Sequence, residues 1–261
     1  MIPLRMIPRR AFFVWVGDEP LPWLRQLSIE SFRKFNPDWR VELLRIPPRA
    51  ALLPAQNTDL FRYDELANHG GVYFDTDVVF FEPFPDDLLD ADVAVTMDRS
   101  PTIGRCPRLS NHDVANRPGF TNLAVLGSTP SNGFFRHVYI EALRRGEWLS
   151  EDNVNTLTDD WYQLYGVALL DRTFWNKSKR DIEEQFHIKI ANVPLDLVLP
   201  VRWFDVIKVY NDTAFVPPPG CIGVHWYGGS PEALRYATDY RSPTDMPSGT
   251  YLSRAIEVAL A

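Results

Sequence analysis

The sequence has a deficit of positive charge. It contains 27 Lys and Arg residues against 34 Asp and Glu, which gives a formal net charge of −7. A protein that binds nucleic acid needs a basic surface to neutralise phosphates, so this balance argues against nucleic acid as the main partner. It leaves open a phosphate-bearing small molecule that is held through a metal ion.

Cysteine is also scarce, and long apolar runs are missing. Cys106 and Cys221 are too few for a disulfide scaffold and lack zinc-ligand spacing. We therefore expect two unconnected thiols, which fits a reducing compartment. No segment approaches the roughly 20 apolar residues that cross a bilayer, and the run before Gly17 ends without a signal-peptide cleavage site. The sequence predicts a cytoplasmic protein with no integral membrane segment.

Strands and helices alternate in the first third of the chain. Short apolar runs at 11–16, 41–46 and 72–74 are typical of buried strands. Apolar residues recur at helical spacing over 21–35 and again over 58–69. This order predicts an α/β fold with a Rossmann-like, mostly parallel central sheet flanked by helices.

The later part of the chain predicts further elements of the same domain. We expect strands at 92–97, 122–127, 186–193 and 221–227, a helix at 133–145 and a short helix near the C-terminus. A loop rich in Pro, Gly, Asn and Arg spans 98–118, and long loops of this kind are usually functional or disordered. No repeat or domain boundary is visible, so we treat 1–261 as a single domain.

The stretch from Asn68 to Phe84 places Asp75 and Asp77 one residue apart inside an apolar run. Isolated buried carboxylates are costly unless they are paired, protonated or bound to a metal ion. A turn between two strands is one explanation, since Asp forms local hydrogen bonds there. The apolar flanks and the lack of a hairpin Gly or Asn favour the alternative, two ligands for Mg²⁺ or Mn²⁺ that also contacts substrate phosphates.

Three further features have both a structural and a functional interpretation. Asp59 and Arg62 stand three residues apart on a predicted helix, where they form a surface ion pair or hold a sugar or phosphate oxygen. Trp15 ends a predicted strand, where it packs in the core or stacks on a nucleobase. His225 precedes a Gly-Gly turn, where it is a structural histidine or a metal ligand. Ligands of parallel sheets bind at the carboxyl ends of strands, so Trp15 and the aspartates are expected to share one site.

Several segments resemble glycosyltransferase family 32 and, more distantly, the glucosylating domain of the large clostridial toxins. The most specific is TDLFRYDELANHGGVYFDTDV; IPRRAFFVWVG, FTNLAVLGS and VHWYGGS also match. The resemblance implies a GT-A fold and a retaining, metal-dependent transferase that uses a nucleotide-sugar donor.

The resemblance also implies residue roles. Val14 and Trp15 would hold the base, and Asp59, Arg62, Tyr73 and Asn122 the donor sugar. Asp75 would contact the ribose and the metal ion, and Asp77 the metal ion directly. Asp75, Asp77 and Arg62 form the catalytic group, and a C-terminal loop would close on the diphosphate and the metal ion through three residues: His225, Trp226 and Ser230.

The toxin-like arrangement favours a uridine donor over GDP-mannose. Residues 1–84 would form the nucleotide-sugar half, and 85–261 the acceptor side and the closing loop. The acceptor would be a hydroxyl of a glycan, a lipid-linked molecule or a protein, in glycan or polysaccharide synthesis, and we expect the 98–118 loop to select it.

Two alternatives stay open. The first is a phosphatase of the haloacid dehalogenase type, in which Asp75 is the nucleophile and Asp77 the general acid. The second is a non-catalytic nucleotide-sugar-binding protein on the same fold, since a fold does not guarantee chemistry.

Overall fold

A computed structural model describes residues 6–50, 52–98, 119–147, 165–174, 177–201, 205–230, 233, 242, 245 and 247–261. Its strands are β1 (Arg10–Val16), β2 (Arg40–Ile46), β3 (Gly71–Phe74), β4 (Val78–Phe80), β5 (Val93–Asp98), β6 (Gly119–Ser128), β7 (Ile190–Asn192) and β8 (Gly223–His225). Its α-helices are α1 (Trp23–Phe35), α2 (Pro54–Asn68), α3 (Gly133–Glu147), α4 (Val167–Thr173), α5 (Lys179–Phe186), α6 (Ile207–Asn211) and α7 (Tyr251–Leu260). Short 3-10 helices span Asp86–Leu89 and Leu195–Leu197.

A six-stranded sheet in the order β2-β1-β3-β6-β5-β7 forms the centre of the fold. The pairs β1–β2, β1–β3 and β5–β7 are parallel, whereas β3–β6 and β5–β6 are antiparallel. The expected α/β fold with a mostly parallel, helix-flanked sheet is confirmed. β4 and β8 lie outside this sheet and form an antiparallel pair of their own.

The two faces of the central sheet bury different helices. Phe12 packs in a cluster with Leu60 of α2, while its neighbour Phe13 packs in a second cluster with Phe32 of α1. Successive side chains of a strand point to opposite faces, so the continuous apolar run of β1 fills both layers. The strand thereby packs between two hydrophobic cores, with its carboxyl end at the edge of the sheet.

Some predicted element boundaries are wrong. Helix α2 begins at Pro54 rather than at 58, because proline is well suited to the first helical position. The predicted strand 186–193 is reduced to β7, because α5 extends to Phe186 and His187 ends it in a left-handed conformation with φ of 52°. The predicted loop 98–118 lies, apart from Asp98, outside the described residues.

Within the described part of the chain, none of the helices combines the length and apolar character that crossing a bilayer requires.

The glycine at the start of β3 lets that strand approach β1 closely. Gly71 has a φ of 105°, and a Cβ atom placed on it would lie 2.6 Å from the backbone oxygen of Arg10. Neither the conformation nor the distance tolerates a side chain. This close approach positions the residues that follow β3.

We predict that Gly71→Ala destabilises the protein by at least about 1 kcal/mol more than Gly17→Ala. Both glycines have positive φ, but a Cβ atom on Gly17 meets nothing within 4 Å, so this control isolates the steric clash. Urea denaturation followed by circular dichroism measures the difference. Equal destabilisation in the two variants would contradict the close approach.

Candidate functional site

The parallel pairing of β1 and β3 brings the predicted site residues together. The carboxyl ends of parallel strands meet at one edge of a sheet, so Trp15 near the end of β1 and Asp75, which directly follows β3, lie at the same edge. The backbone N–H of Asp75 donates to Ala124 O at 3.0 Å, which places Asn122 of β6 at the same edge.

A cavity of about 610 Å³ opens at this edge. The predicted site residues that line it are Val14, Trp15, Asp59, Arg62, Tyr73, Asp75, Asp77 and Asn122. A second cavity of about 700 Å³ lies elsewhere, beside Trp39 and Phe84, and none of the predicted site residues lines it. Trp15 and the two aspartates therefore line one cavity, and their function as a shared binding site stays a prediction.

Asp59 and Arg62 form a buried ion pair and not a surface pair. Their exposed fractions are 7% and 4%, and the Arg62 guanidinium donates to the Asp59 carboxylate. Arg62 Nη1 also donates to Leu123 O at 3.2 Å and lies 3.6 Å from Asp75 Oδ1. Arg62 Nε is buried with no hydrogen-bond partner among the described residues. One N–H donor of this buried pair is therefore unused within the described part of the chain.

The surroundings shift the pKa values of Asp59 and Asp75 in opposite directions. Burial raises the pKa of Asp59 to about 6, although Arg62 acts in the opposite direction. Burial would also raise the pKa of Asp75, but the hydrogen bond with His225, the charge of Arg62 and the Tyr73 hydroxyl together hold it below its ordinary value. Tyr73 OH donates to Asp75 Oδ1 at 2.5 Å. Both carboxylates therefore carry negative charge into the cavity at neutral pH.

His225 reaches the two aspartates through the small sheet. In the β4–β8 pair, Val78 lies opposite His225, and the N–H of Trp226 donates to Asp77 O at 2.9 Å. Ligand atoms of Asp75, Asp77 and His225 all lie within 4.8 Å of one another. Two carboxylates and an imidazole form a donor set that suits a divalent cation such as Mn²⁺. The residues thus fit a metal ion.

The hydrogen bonds of His225 limit how it would bind such an ion. Its Nδ1 accepts from the Tyr227 N–H at 3.1 Å, so in the neutral imidazole the proton is on Nε2. Nε2 lies 3.4 Å from Asp75 Oδ2 and 3.2 Å from Asp77 Oδ1. A metal ion on Nε2 requires the proton on Nδ1, so the Tyr227 N–H would have to turn away.

The ionisation of His225 follows from the same neighbours. Burial lowers the pKa of His225, but the charge of Asp77 and the hydrogen bond with Asp75 outweigh it and raise the pKa above its ordinary value. A metal ion bound to these carboxylates would therefore compete with the proton on His225.

The proposed donor contacts differ in exposure. Val14 is 4% exposed and lines the cavity with its buried side chain, whereas Trp15 is half-buried and its Nε1 donates to Glu19 O at 2.9 Å. Asn122 is half-buried, and its Oδ1 accepts from the Ala124 N–H at 2.7 Å. Hydrogen bonds with the backbone thus fix the side chains of Trp15 and Asn122 at the cavity.

The C-terminal segment is only partly at the cavity. Of its described residues, Gly229 lines the wall but Trp226 and Ser230 do not. Trp226 is 2% exposed in a hydrophobic cluster, and its Nε1 has no hydrogen-bond partner in the described part of the chain. Ser230 Oγ accepts from the Ala233 N–H at 3.0 Å. The roles of Trp226 and Ser230 stay predictions.

Sequence reasoning missed Arg25, Thr76 and Gly229, all of which line the cavity. The position of Arg25 was a usable indication, because it lies in the first turn of the helix that follows β1, on the ligand-binding edge of the sheet.

Residues 46–95 match the family model described as the glycosyltransferase sugar-binding region containing DXD motif. The matched segment includes α2, β3 and β4, and therefore both the buried ion pair and the aspartates. This region is glycosyltransferase-like, and it contributes two members of a candidate Asp-Asp-His metal site. No curated protein matches the sequence.

Solved glycosyltransferase structures show a distant likeness. PaToxG glycosyltransferase is 14% identical, with a TM-score of 0.44, over 71% of this chain and 76% of that one. The glycosyltransferase GlyE of Streptococcus pneumoniae TIGR4 is 13% identical with a TM-score of 0.48, and the likeness spans 98% of this chain but 61% of GlyE. The galactosyltransferase LgtC is 12% identical with a TM-score of 0.45, over 96% and 95% of the two chains.

We predict that Arg62→Met lowers the free energy of unfolding by about 3–5 kcal/mol, because Asp59 is left buried without its partner. Urea denaturation measures the change. The double variant Asp59→Asn/Arg62→Met should recover part of the loss, since no unpaired charge remains. Arg180→Met, which removes the exposed pair with Glu184, is the control and should have little effect. If Arg62→Met costs no more than Arg180→Met, the account of the buried pair is wrong.

Proposed function

We propose that this protein is a metal-dependent, retaining glycosyltransferase of the GT-A type, related to glycosyltransferase family 32. It would move a sugar from a nucleotide-sugar donor to a hydroxyl acceptor. One observation carries the proposal: Asp75 and Asp77 line the same cavity as the buried Asp59–Arg62 pair, and their ligand atoms lie close to those of His225, which is behind the cavity wall. The match of residues 46–95 to the sugar-binding region supports it.

Donor recognition would be divided between two sides of the cavity. Trp15 stacks on the base and Val14 lines the base pocket, because both lie at the end of β1. Arg62 binds sugar hydroxyls, and this role is supported by its position on the cavity wall. Asp59 holds Arg62 in place, and Tyr73 and Asn122 lie nearby on the wall.

Asp75, Asp77 and His225 would hold Mn²⁺ or Mg²⁺. An imidazole among the ligands favours Mn²⁺, since Mg²⁺ prefers oxygen. When bound, such an ion supplies Lewis-acid stabilisation of the negative charge on the departing diphosphate. Asp75 would also contact the ribose.

The engagement of the carboxylates supports a reaction without a covalent enzyme intermediate. Asp59 is paired with Arg62, Asp75 accepts from Tyr73, and Asp77 Oδ2 accepts from the Gly228 N–H at 2.7 Å. Each of these three carboxylates is thus engaged through one of its oxygens by a hydrogen bond or an ion pair, which makes it a weaker nucleophile.

The acceptor hydroxyl would therefore attack the anomeric carbon on the face from which the diphosphate leaves. The bond from that carbon to the diphosphate oxygen breaks, the bond to the acceptor oxygen forms, and the acceptor proton passes to a diphosphate oxygen. The configuration at the anomeric carbon is retained.

The donor and acceptor follow from the resemblance. We propose a UDP-sugar in preference to GDP-mannose, and a glycan, lipid-linked or protein hydroxyl as the acceptor, in polysaccharide or glycan synthesis. Residues 1–84 would bind the donor, while 85–261 would supply the acceptor side and the closing segment around His225.

We predict that the protein releases nucleoside diphosphate from one nucleotide sugar in the presence of Mn²⁺ and that EDTA abolishes the release. The donors to be tested are UDP-glucose, UDP-galactose, UDP-N-acetylglucosamine and GDP-mannose. A coupled assay measures the nucleoside diphosphate released from each. Asp77→Asn should lower the rate by about 100-fold or more, because metal ions contribute several kcal/mol to charge stabilisation.

Asp38→Asn is the matched control, since Asp38 is exposed and lies away from the cavity. Metal-dependent donor binding without release, even with mixed glycan acceptors, would favour a non-catalytic binding protein. If the protein neither binds nor cleaves any of these donors, the proposed function is contradicted.

A further inference from the structure

Among the described residues, two arginines line the cavity, and the proposed contacts with the nucleotide sugar give a role to Arg62 but none to Arg25. It lies in α1 and lines the cavity, and its Nη1 donates to Thr76 Oγ1 at 2.5 Å. Thr76 is buried between the two aspartates of the metal cluster. The guanidinium is therefore held next to the backbone that carries the candidate metal ligands.

Two tryptophan rings and a glycine fix the guanidinium further. Its central carbon lies 5.5 Å from the ring centre of Trp15 and 5.1 Å from that of Trp226. A Cβ atom placed on Gly228 would lie 2.6 Å from Arg25 Nη2, so the guanidinium lies against this backbone. The N–H of Gly228 in turn donates to Asp77 Oδ2 at 2.7 Å. Arg25 thus lies between Trp15, the proposed stacking partner of the base, and the candidate metal ligands Asp75 and Asp77.

Among the positively charged residues of the cavity, Arg25 is the one without a carboxylate partner in the described part of the chain. The described charged residues that line the cavity are three aspartates and two arginines: Asp59, Asp75, Asp77, Arg25 and Arg62. Arg62 is committed to Asp59 and lies near Asp75. Arg25 forms no ion pair with a carboxylate in the described part of the chain. Its guanidinium has five N–H donors, and the hydrogen bond to Thr76 uses only one of them.

We propose that Arg25 binds the diphosphate of the nucleotide donor. A planar guanidinium with free donors matches phosphate oxygens, and stacking on aromatic rings fixes its orientation in advance. In a nucleotide sugar the diphosphate links the nucleoside to the sugar, which is the position of Arg25 between Trp15 and the metal cluster. The inference rests on the proposed function and adds to it a diphosphate contact outside the segment that matches the family model.

A purely structural role is the competing explanation. Arg25 would then only hold the segment 226–229 against α1, and its loss would weaken all ligands alike or lower the stability. A diphosphate contact predicts a selective loss, because a nucleoside has no phosphate for Arg25 to bind.

The test measures the binding of UDP and GDP by calorimetry, with Mn²⁺ in excess, and of the corresponding nucleosides by ligand-observed NMR. Arg25→Gln should weaken binding of the preferred diphosphate by about 10- to 100-fold, as expected for a charged hydrogen bond, and leave nucleoside binding unchanged. Arg25→Lys should restore part of the affinity. Arg33→Gln, on the exposed face of the same helix, removes the same charge and should bind both ligands as the wild type does.

The outcomes separate this inference from the proposed function. If the wild type binds diphosphate and Arg25→Gln binds it equally well, the role of Arg25 is overturned and the proposed function stands. If Arg25→Gln, or Arg25→Lys where Arg25→Gln fails to fold, loses affinity for diphosphate and nucleoside to the same extent, Arg25 is structural. If the wild type binds neither UDP nor GDP, the proposed function fails first and this inference with it.

Discussion

The repulsion between carboxylates at one edge of the sheet is the constraint on which the rest of the structure depends. Asp59, Asp75 and Asp77 line the same cavity, although carboxylates are costly to remove from water unless they are compensated. Arg62 compensates the first, and His225 lies within reach of the other two. A separate two-stranded sheet serves to bring His225 there.

Much of this arrangement was accessible from the sequence, because it is local. The apolar run of β1, the helical spacing of α1 and the aspartates after β3 each lie within a short segment, where periodicity and burial cost are informative. The rule that parallel strands meet at one edge then predicts that Trp15 and Asp75 share a site. The fold class and the location of the candidate site follow from these few elements.

The rest depends on contacts between distant segments. The burial of the Asp59–Arg62 pair cannot be inferred from spacing, since surface pairs have the same spacing. The antiparallel partner of β4 is β8, far along the chain, and no local pattern specifies that pairing. The contacts of the Arg25 guanidinium with Trp15, Thr76 and Gly228 likewise join separate segments of the chain. These contacts place the charges of the site, and they are non-local.

The central claim is that one divalent ion, held by this chain, also contacts a nucleoside diphosphate. Pulsed electron–nuclear double resonance of the protein with Mn²⁺ and UDP measures this most directly. The account predicts ³¹P coupling from the diphosphate and ¹⁴N coupling from His225 on the same Mn²⁺ ion, with the ¹⁴N coupling lost in His225→Ala. Mn²⁺ that shows ¹⁴N coupling without ³¹P coupling, or ³¹P coupling identical to that of Mn²⁺ and UDP without protein, would contradict it.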